Sequence, residues 1–287
     1  MRARGVRHTG SMTVSLPATT IIGTGSMGGA ILSGLLSPGI TVEGPIRVTN
    51  RSEAKAAELR SAAVISTATD TAPDANRRAV AGAQIVVVAV KPAMVAAVLR
   101  DIAPALLSDA IVISVAAGVS LATMEQIVPG AVLRAMPNTP ATVGRGVTGL
   151  SAGSRVDADQ LALASALFDT VGAVLVIPEN QIDALSTISG SGPAYVFLLM
   201  ETLTETARRL GFTDDQARLM VETTFLGSAE LLAAGTADPA ELRRRVTSPK
   251  GTTERAIAVL QDARLGEVFD RATAAALARA RELAGGL

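Results

Sequence analysis

The stretch IIGTGSMGGAI, Ile21 to Ile31, constrains the fold of this chain more than any other. It carries glycines in the order G-x-G-x-x-G between a short β-branched run and an Ala- and Gly-rich helical segment. Gly23 allows a tight turn, Gly25 lets the backbone approach a pyrophosphate, and Gly28 permits close helix–strand packing. Free N–H groups and the helix dipole then attract phosphate. The spacing alone is weak, but here it opens a repeating pattern. Candidate strands at Thr19–Ile22, Ile46–Thr49, Ile85–Ala89, Ile111–Val115, Val132–Ala135 and Val174–Ile177 alternate with helical stretches at Gly28–Leu36, Ser52–Ala62, Pro92–Ala105 and Ala158–Val171. Buried strands alternating with helices predict a mostly parallel sheet covered on both faces.

From about Gln181 onward the pattern becomes helical throughout, punctuated by SGSGP, LGFTDD, AAGTADP and TSPKG. The expected organisation is a disordered or flexible tail over 1–16, an α/β Rossmann-type dinucleotide-binding domain over 17–178 and an all-α domain over 179–287. The start, MRARGVRHTGSM, is basic but leads into no apolar run, so no signal peptide is read there.

Composition narrows the chemistry. Hydrophobic residues make up 48% and aromatics 2%, so the core has to be built from Ala, Val, Leu and Ile. Lys+Arg and Asp+Glu balance at 26 each, which argues against a polyanion-binding surface. There is no cysteine, hence no disulfide or thiolate chemistry, and a reducing compartment is permitted. The one histidine, His8, lies in the tail, so no histidine catalysis and no metal site are expected. The longest apolar runs, IVVVAV and AIVISVAAGV, fall short of the roughly 20 residues of a membrane span, and a soluble, cytoplasmic protein is expected.

About 20 residues beyond the glycine loop, a carboxylate would accept the ribose 2′-OH of NAD. Here the chain reads VTNRSE, with Asn50, Arg51 and Ser52. A guanidinium among neutral hydrogen-bonding groups suits a 2′-phosphate, which favours NADPH over NADH; the alternative is that Arg51 is a solvated surface charge. Ligands of open α/β sheets sit beyond the carboxyl ends of the strands, where Lys91 of AVKP, Ala116–Gly118 of SVAAGV and Met136–Pro140 of MPNTP are placed. Lys91 also reads as an exposed residue capping a strand–helix turn, and MPNTP as a plain double-proline turn.

Taken together, IGTGSMG, AVKP, VAAG, RAMPNTP, SGSGPAY and VTSPKGTT resemble the pyrroline-5-carboxylate reductase family, in family order from residue 21 to about residue 265. The resemblance implies NAD(P)H-dependent reduction of a cyclic imine, 1-pyrroline-5-carboxylate, to L-proline. It implies a homodimer with interleaved C-terminal helices, often assembled into a decamer, and an active site that draws on two chains. By position, the cofactor residues would be Ile22, Gly23, Thr24, Gly25, Ser26 and Met27 of the loop, then Asn50, Arg51, Ser52 and Asn76. Ala89, Val90, Lys91 and Pro92 would join them, with Val115, Ala116 and Ala117. The substrate side would use Glu179, Ser248, Gly251, Thr252 and Thr253, with Thr253 the proton donor.

The stretch VTSPKGTTE also has a physical reading. Ser248 reads as a helix N-cap and Pro249 as the first helical residue, leaving the N–H groups of Lys250 to Thr252 for a small carboxylate at the positive end of the dipole. The alternative is a well-capped helix and nothing more. The family has a second glycine where this chain has Lys250; a left-handed backbone is disfavoured for lysine, so ordinary helical geometry is expected there, with the side chain in solvent. Glu179 could accept a hydrogen bond from the substrate ring N–H or hold its loop; the alternative is an exposed loop carboxylate. Tyr195 reads as a packing or interface residue, and Gly190, Gly192 and Pro193 as a helix-entry device.

Two rival readings stay open. An NADP-dependent β-hydroxyacid dehydrogenase shares the loop and the helical domain, but no lysine occurs between Gln181 and Arg245 to serve as its acid/base. A non-catalytic NADP-binding protein would use the same fold.

Overall fold

The computed structural model describes residues 14–285. Among the described residues, ten strands and twelve α-helices follow one another. The first strands are β1 (Val14–Leu16), β2 (Thr19–Ile22), β3 (Ile40–Val42), β4 (Ile46–Asn50) and β5 (Val64–Ala68); β6 (Ile85–Val88), β7 (Ile111–Ser114), β8 (Ala131–Met136), β9 (Gly146–Ala152) and β10 (Gly172–Val176) complete the set. Between them run α1 (Ser26–Leu35), α2 (Glu53–Leu59), α3 (Ala75–Val80), α4 (Pro92–Ile102), α5 (Leu121–Glu125) and α6 (Ala158–Asp169). Helices alone follow: α7 (Ile182–Leu185), a π-turn at Ser186–Gly190, α8 (Gly192–Arg209), α9 (Asp214–Ala234), α10 (Pro239–Arg245), α11 (Thr252–Asp262) and α12 (Leu265–Gly285).

Eight strands form one sheet in the order β5-β4-β2-β6-β7-β8-β9-β10. The six from β5 to β8 are parallel and have the doubly wound order, with the reversal point between β2 and β6. The sheet is mixed at one end, because β9 returns antiparallel to β8 and β10 then pairs parallel to β9.

Strand alternation explains the two cores. Ile85 and Val87 face one side, against Ile31 and Leu35 of α1 and Leu167 and Phe168 of α6. Val86 and Val88 face the other, with Val95 and Leu99 of α4 and Met124 of α5. All of these are fully or almost fully buried, and each large aliphatic side chain so placed contributes about 1.5–3 kcal/mol of transfer free energy. With aromatics so scarce, only Phe168 brings a ring into these clusters.

The expected strands and helices are all present, with shifted ends. The sequence reading omitted β5, β9 and the short pair β1–β3. It also placed residues 14–16 in a flexible tail, which the structure corrects: they pair in parallel with β3, and Leu16 is buried at 1% exposure. Residues 1–13, including His8, lie outside the described residues.

The described residues divide into two compact units, one running to 190 and joined by the chain from 277 on, the other spanning 191–276. The division falls twelve residues beyond the expected one at 178. The reason is that 179–190 is fastened to the first unit: Ile182 is fully buried, and Asn138 Nδ2 donates to the Ser189 carbonyl at 2.9 Å. Among the described residues no helix is long and apolar enough to cross a membrane.

Candidate active site

The glycine loop lies at the sheet's reversal point. Gly23 has φ 89°, and a Cβ there would lie 2.9 Å from the Ala89 carbonyl oxygen, so only glycine fits. A Cβ on Gly28 would lie 2.0 Å from the Gly23 carbonyl oxygen, which is the close approach expected from sequence. Gly25, the N-cap of α1, has open space where its Cβ would be, and α1 has no side-chain cap. Gly25 and Ser26 are exposed. The mouth of α1 is thus a cradle of bare N–H groups with room above it, and it fits a pyrophosphate.

Behind the loop, Thr24 is buried and its hydroxyl donates to Asn50 Oδ1, while Asn50 Nδ2 donates to Ser66 Oγ at 3.3 Å. Asn50 is 6% exposed; it anchors the loop to β4. Thr49 Oγ1 donates to Asn76 Oδ1 at 2.8 Å, and the Thr49 carbonyl accepts from Gly23 N at 2.9 Å. Arg51 and Ser52 stand exposed at the end of β4, and Arg51 makes no ion pair among the described residues. Lys91 and Pro92 are exposed where β6 passes into α4, and Val115–Ala117 follow β7 on the same edge.

Glu179 lies in the first unit, and its Oε1 accepts from Leu121 N at 2.7 Å and pairs with Arg134 Nη1 at 3.4 Å. Of the two roles foreseen for it, loop-holding is therefore present. Arg134 Nη2 also pairs with Asp183 Oδ1 at 2.6 Å. The Arg134 side chain is 7% exposed, and a guanidinium so buried requires such partners. These three residues border a cavity of about 400 Å³ beside Gly118–Ser120 and the start of α4. The sequence reading missed Arg134 and Asp183. The signal was one arginine inside AVLRAM, a strand otherwise apolar from end to end.

The stretch VTSPKGTTE, in the second unit, differs from expectation in two ways. Helix α11 begins at Thr252 with Gly251 as N-cap, so Ser248 is not the cap. The Ser248 carbonyl instead accepts from Gly251 N at 3.0 Å and closes a tight turn with Pro249 second and Lys250 third. At the third residue of this turn Lys250 adopts φ 61°, the left-handed backbone that a type II turn has at that place. The expected helical geometry at Lys250 is thereby corrected; its exposure is as expected. Glu254 Oε2 accepts from Lys250 N at 2.9 Å, which secures the turn. A Cβ on Gly251 would lie 2.9 Å from the Ser248 carbonyl oxygen. Thr252 and Thr253 are exposed at the mouth of α11, which has no side-chain cap. Tyr195 packs edge-on against Phe269 at 6.0 Å between ring centres.

A doubly wound sheet with this glycine cradle, followed by a helical domain, defines an oxidoreductase of the NAD(P)-binding Rossmann class. The family model for pyrroline-5-carboxylate reductase dimerisation matches residues 179–283, and that for NADP oxidoreductase, coenzyme F420-dependent, matches residues 19–118. The pyrroline-5-carboxylate reductase of Pseudomonas aeruginosa is 39% identical over 274 residues, covering 94% of this chain and 98% of that protein. The structure of the Coxiella burnetii enzyme of the same name superposes with a TM-score of 0.84 at 40% identity, covering 92% of this chain and 97% of that one. The Plasmodium falciparum pyrroline carboxylate reductase, solved with NADP bound, shares the fold at a TM-score of 0.75 and 24% identity, over 93% and 98% of the two chains. The chain belongs to the pyrroline-5-carboxylate reductase family.

Proposed function

We propose that this protein reduces 1-pyrroline-5-carboxylate to L-proline in the cytoplasm, as the last step of proline biosynthesis, with NADPH preferred over NADH. The carrying observation is the bare mouth of α11. The N–H groups of Thr252, Thr253 and Glu254 stand at its positive end without a side-chain cap, suited to the substrate carboxylate. Ser248 and Thr252 hydroxyls add donors. Gly251 is required because a side chain there would strike the Ser248 carbonyl.

The dinucleotide would be held by Ile22–Met27 around its pyrophosphate, by Arg51 and Ser52 at the 2′-phosphate, and by Ala89–Pro92 and Val115–Ala117 beyond. Asn50 and Asn76 support that surface from behind. When bound, the reduced nicotinamide supplies the hydride that adds to the imine carbon. Thr253 then has one task, to hydrogen-bond the ring nitrogen or relay a proton from water to it, so that the nitrogen gains the proton as the C=N bond is reduced. Holding the imine in place supplies much of the acceleration. The functional form is a homodimer with C-terminal helices interleaved between copies, and a decamer is the higher assembly to look for. Apolar side chains exposed along α8 and α9, among them Phe197, Leu199 and Leu226, support association.

The test is oxidation of NADPH, then NADH, by the purified protein with 1-pyrroline-5-carboxylate. Turnover is expected with both and faster with NADPH; absence of turnover overturns the reading. Arg51→Ala should shrink the NADPH preference. Thr253→Ala should lower kcat by about 10–100-fold, the worth of one hydrogen bond to a charged group, with little change in NADPH affinity; equal activity removes Thr253 from the mechanism.

A further inference from the structure

We propose that Arg134, Glu179 and Asp183 are positioning residues for the nicotinamide half of the dinucleotide site, acting through the loop Val115–Ser120 rather than by touching substrate. The inference rests on the dinucleotide part of the proposed function. In a doubly wound fold the two halves of the sheet each take one mononucleotide. With Arg51 at the end of β4 assigned to the 2′-phosphate, the loops after β6 and β7 fall to the nicotinamide side.

The loop after β7 is tied at both ends to one arginine. At its entry, Ser114, the last residue of β7, is the register partner of Arg134 in β8. At its exit, Leu121 N donates to Glu179 Oε1, and Glu179 pairs with Arg134. The ring β7–loop–α5–Glu179–Arg134–β7 is therefore closed by side chains distant in sequence. Asp183 holds the other arm of the guanidinium at 2.6 Å and so fixes where Arg134 can reach.

Packing does only part of this work: Ala116 and Val119 are buried in the core on that face of the sheet, whereas Ala117, Gly118 and Ser120 are not buried. Gly118, Val119 and Ser120 border a cavity of about 400 Å³, so the loop has space into which it can shift. Gly118 has φ 78°, and α5 is five residues long, which gives the loop little stiffness of its own. At the entry, Val115 N donates to the Val88 carbonyl and Ala116 N to Ser114 Oγ; from Ala117 on, the bond from Leu121 to Glu179 ties the far end of the loop.

Three variants test this: Glu179→Ala, Glu179→Gln and Asp183→Ala. The readouts are NADPH Kd by fluorescence titration, kcat, KM for the imine, and Tm. Glu179→Ala should raise the NADPH Kd at least tenfold and lower kcat, with KM for the imine changed less than twofold. Glu179→Gln keeps an acceptor for Leu121 N and should bring Kd back within about threefold of the parent. Asp183→Ala should raise Kd about threefold, and it carries the test if Glu179→Ala does not fold. The proposal is overturned if Glu179→Ala, or Asp183→Ala in its place, leaves NADPH Kd unchanged. A rise confined to the imine KM, which would make Glu179 a substrate ligand, also overturns it, as does equal damage by Ala and Gln in parallel with Tm. Failure of the parent to turn over the imine while it binds NADPH sinks the proposed reaction alone, since the Kd series still reads the positioning role. A parent that binds no NADPH sinks both.

Discussion

Along β6, from Ile85 to Val88, every side chain is fully buried, whereas along α8, from Val196 to Leu199, four successive apolar side chains are each at least 42% exposed. Both are continuous hydrophobic runs, and the difference lies in what surrounds them. A central parallel strand is covered on both faces by its own domain's helices. The first turns of α8, apolar on every side, need neighbours all round, and among the described residues of the second unit those neighbours are missing. Among the described residues, eighteen of the twenty-six exposed large apolar side chains lie between residues 191 and 276, where only Ala207, Ala217 and Val221 are buried hydrophobics. The first unit therefore completes its core within one chain. The second leaves its apolar surface for other copies, in the region matched by the dimerisation family model.

Four substitutions separate these two modes of stabilisation, taken from the largest effect down. Gly28→Val forces a side chain onto the Gly23 carbonyl, and overpacking of this kind should cost about 3 kcal/mol or more. Denaturant unfolding should record that loss at every protein concentration, with NADPH binding lost as well. Phe197→Asp puts a charge among the exposed apolar side chains of α8 and should weaken association by about 2–3 kcal/mol. Sedimentation should show a monomer at dilutions where the parent is associated, and Tm should become more concentration-dependent. If Phe197→Asp associates as the parent does, the contrast drawn between the units is wrong.

Lys250→Gly removes a left-handed lysine and should raise stability by about 1 kcal/mol, in the second unit only. Thermal melts of parent and variant at one concentration measure it. The smallest effect is a pH dependence in the first unit. The Ser154 hydroxyl and backbone N–H donate to Glu125 and, with the nearby Arg155 charge assisting, hold its carboxyl below the ordinary value of 4.5. A carboxyl depressed in the folded state stabilises above its unfolded pKa, and that contribution is lost as pH falls through the folded one. Glu125→Gln should flatten stability below about pH 4.5 and leave NADPH binding at neutral pH unchanged, as urea titrations across that range would show.

The first unit was legible because its signals are local and repeated. Glycine spacing, β-branched runs and Ala-rich helices each marked one element, and Gly23 and Gly28 do what their spacing implied. β5 and β9 escaped notice because VISTA and GVTGLSA mix small polar residues with few large apolar ones. The role of Glu179 was undecided because its partners lie 45 and 58 residues away in sequence. At α11 the serine and proline suggested a cap three residues too early. The carbonyl of Ser248, not its hydroxyl, does the holding, and a backbone group leaves no mark in the sequence.

The strand order carries a consequence for synthesis. Starting from β2, the eight-stranded sheet grows on one side by β4 and then β5, and on the other by β6, β7, β8, β9 and β10 in turn. Every strand that leaves the ribosome thus meets an edge already in place, and none has to insert between two earlier ones. The nucleotide-binding sheet can be finished while the helical segments are still being translated, so the apolar stretch of α8 emerges only after that sheet is in place.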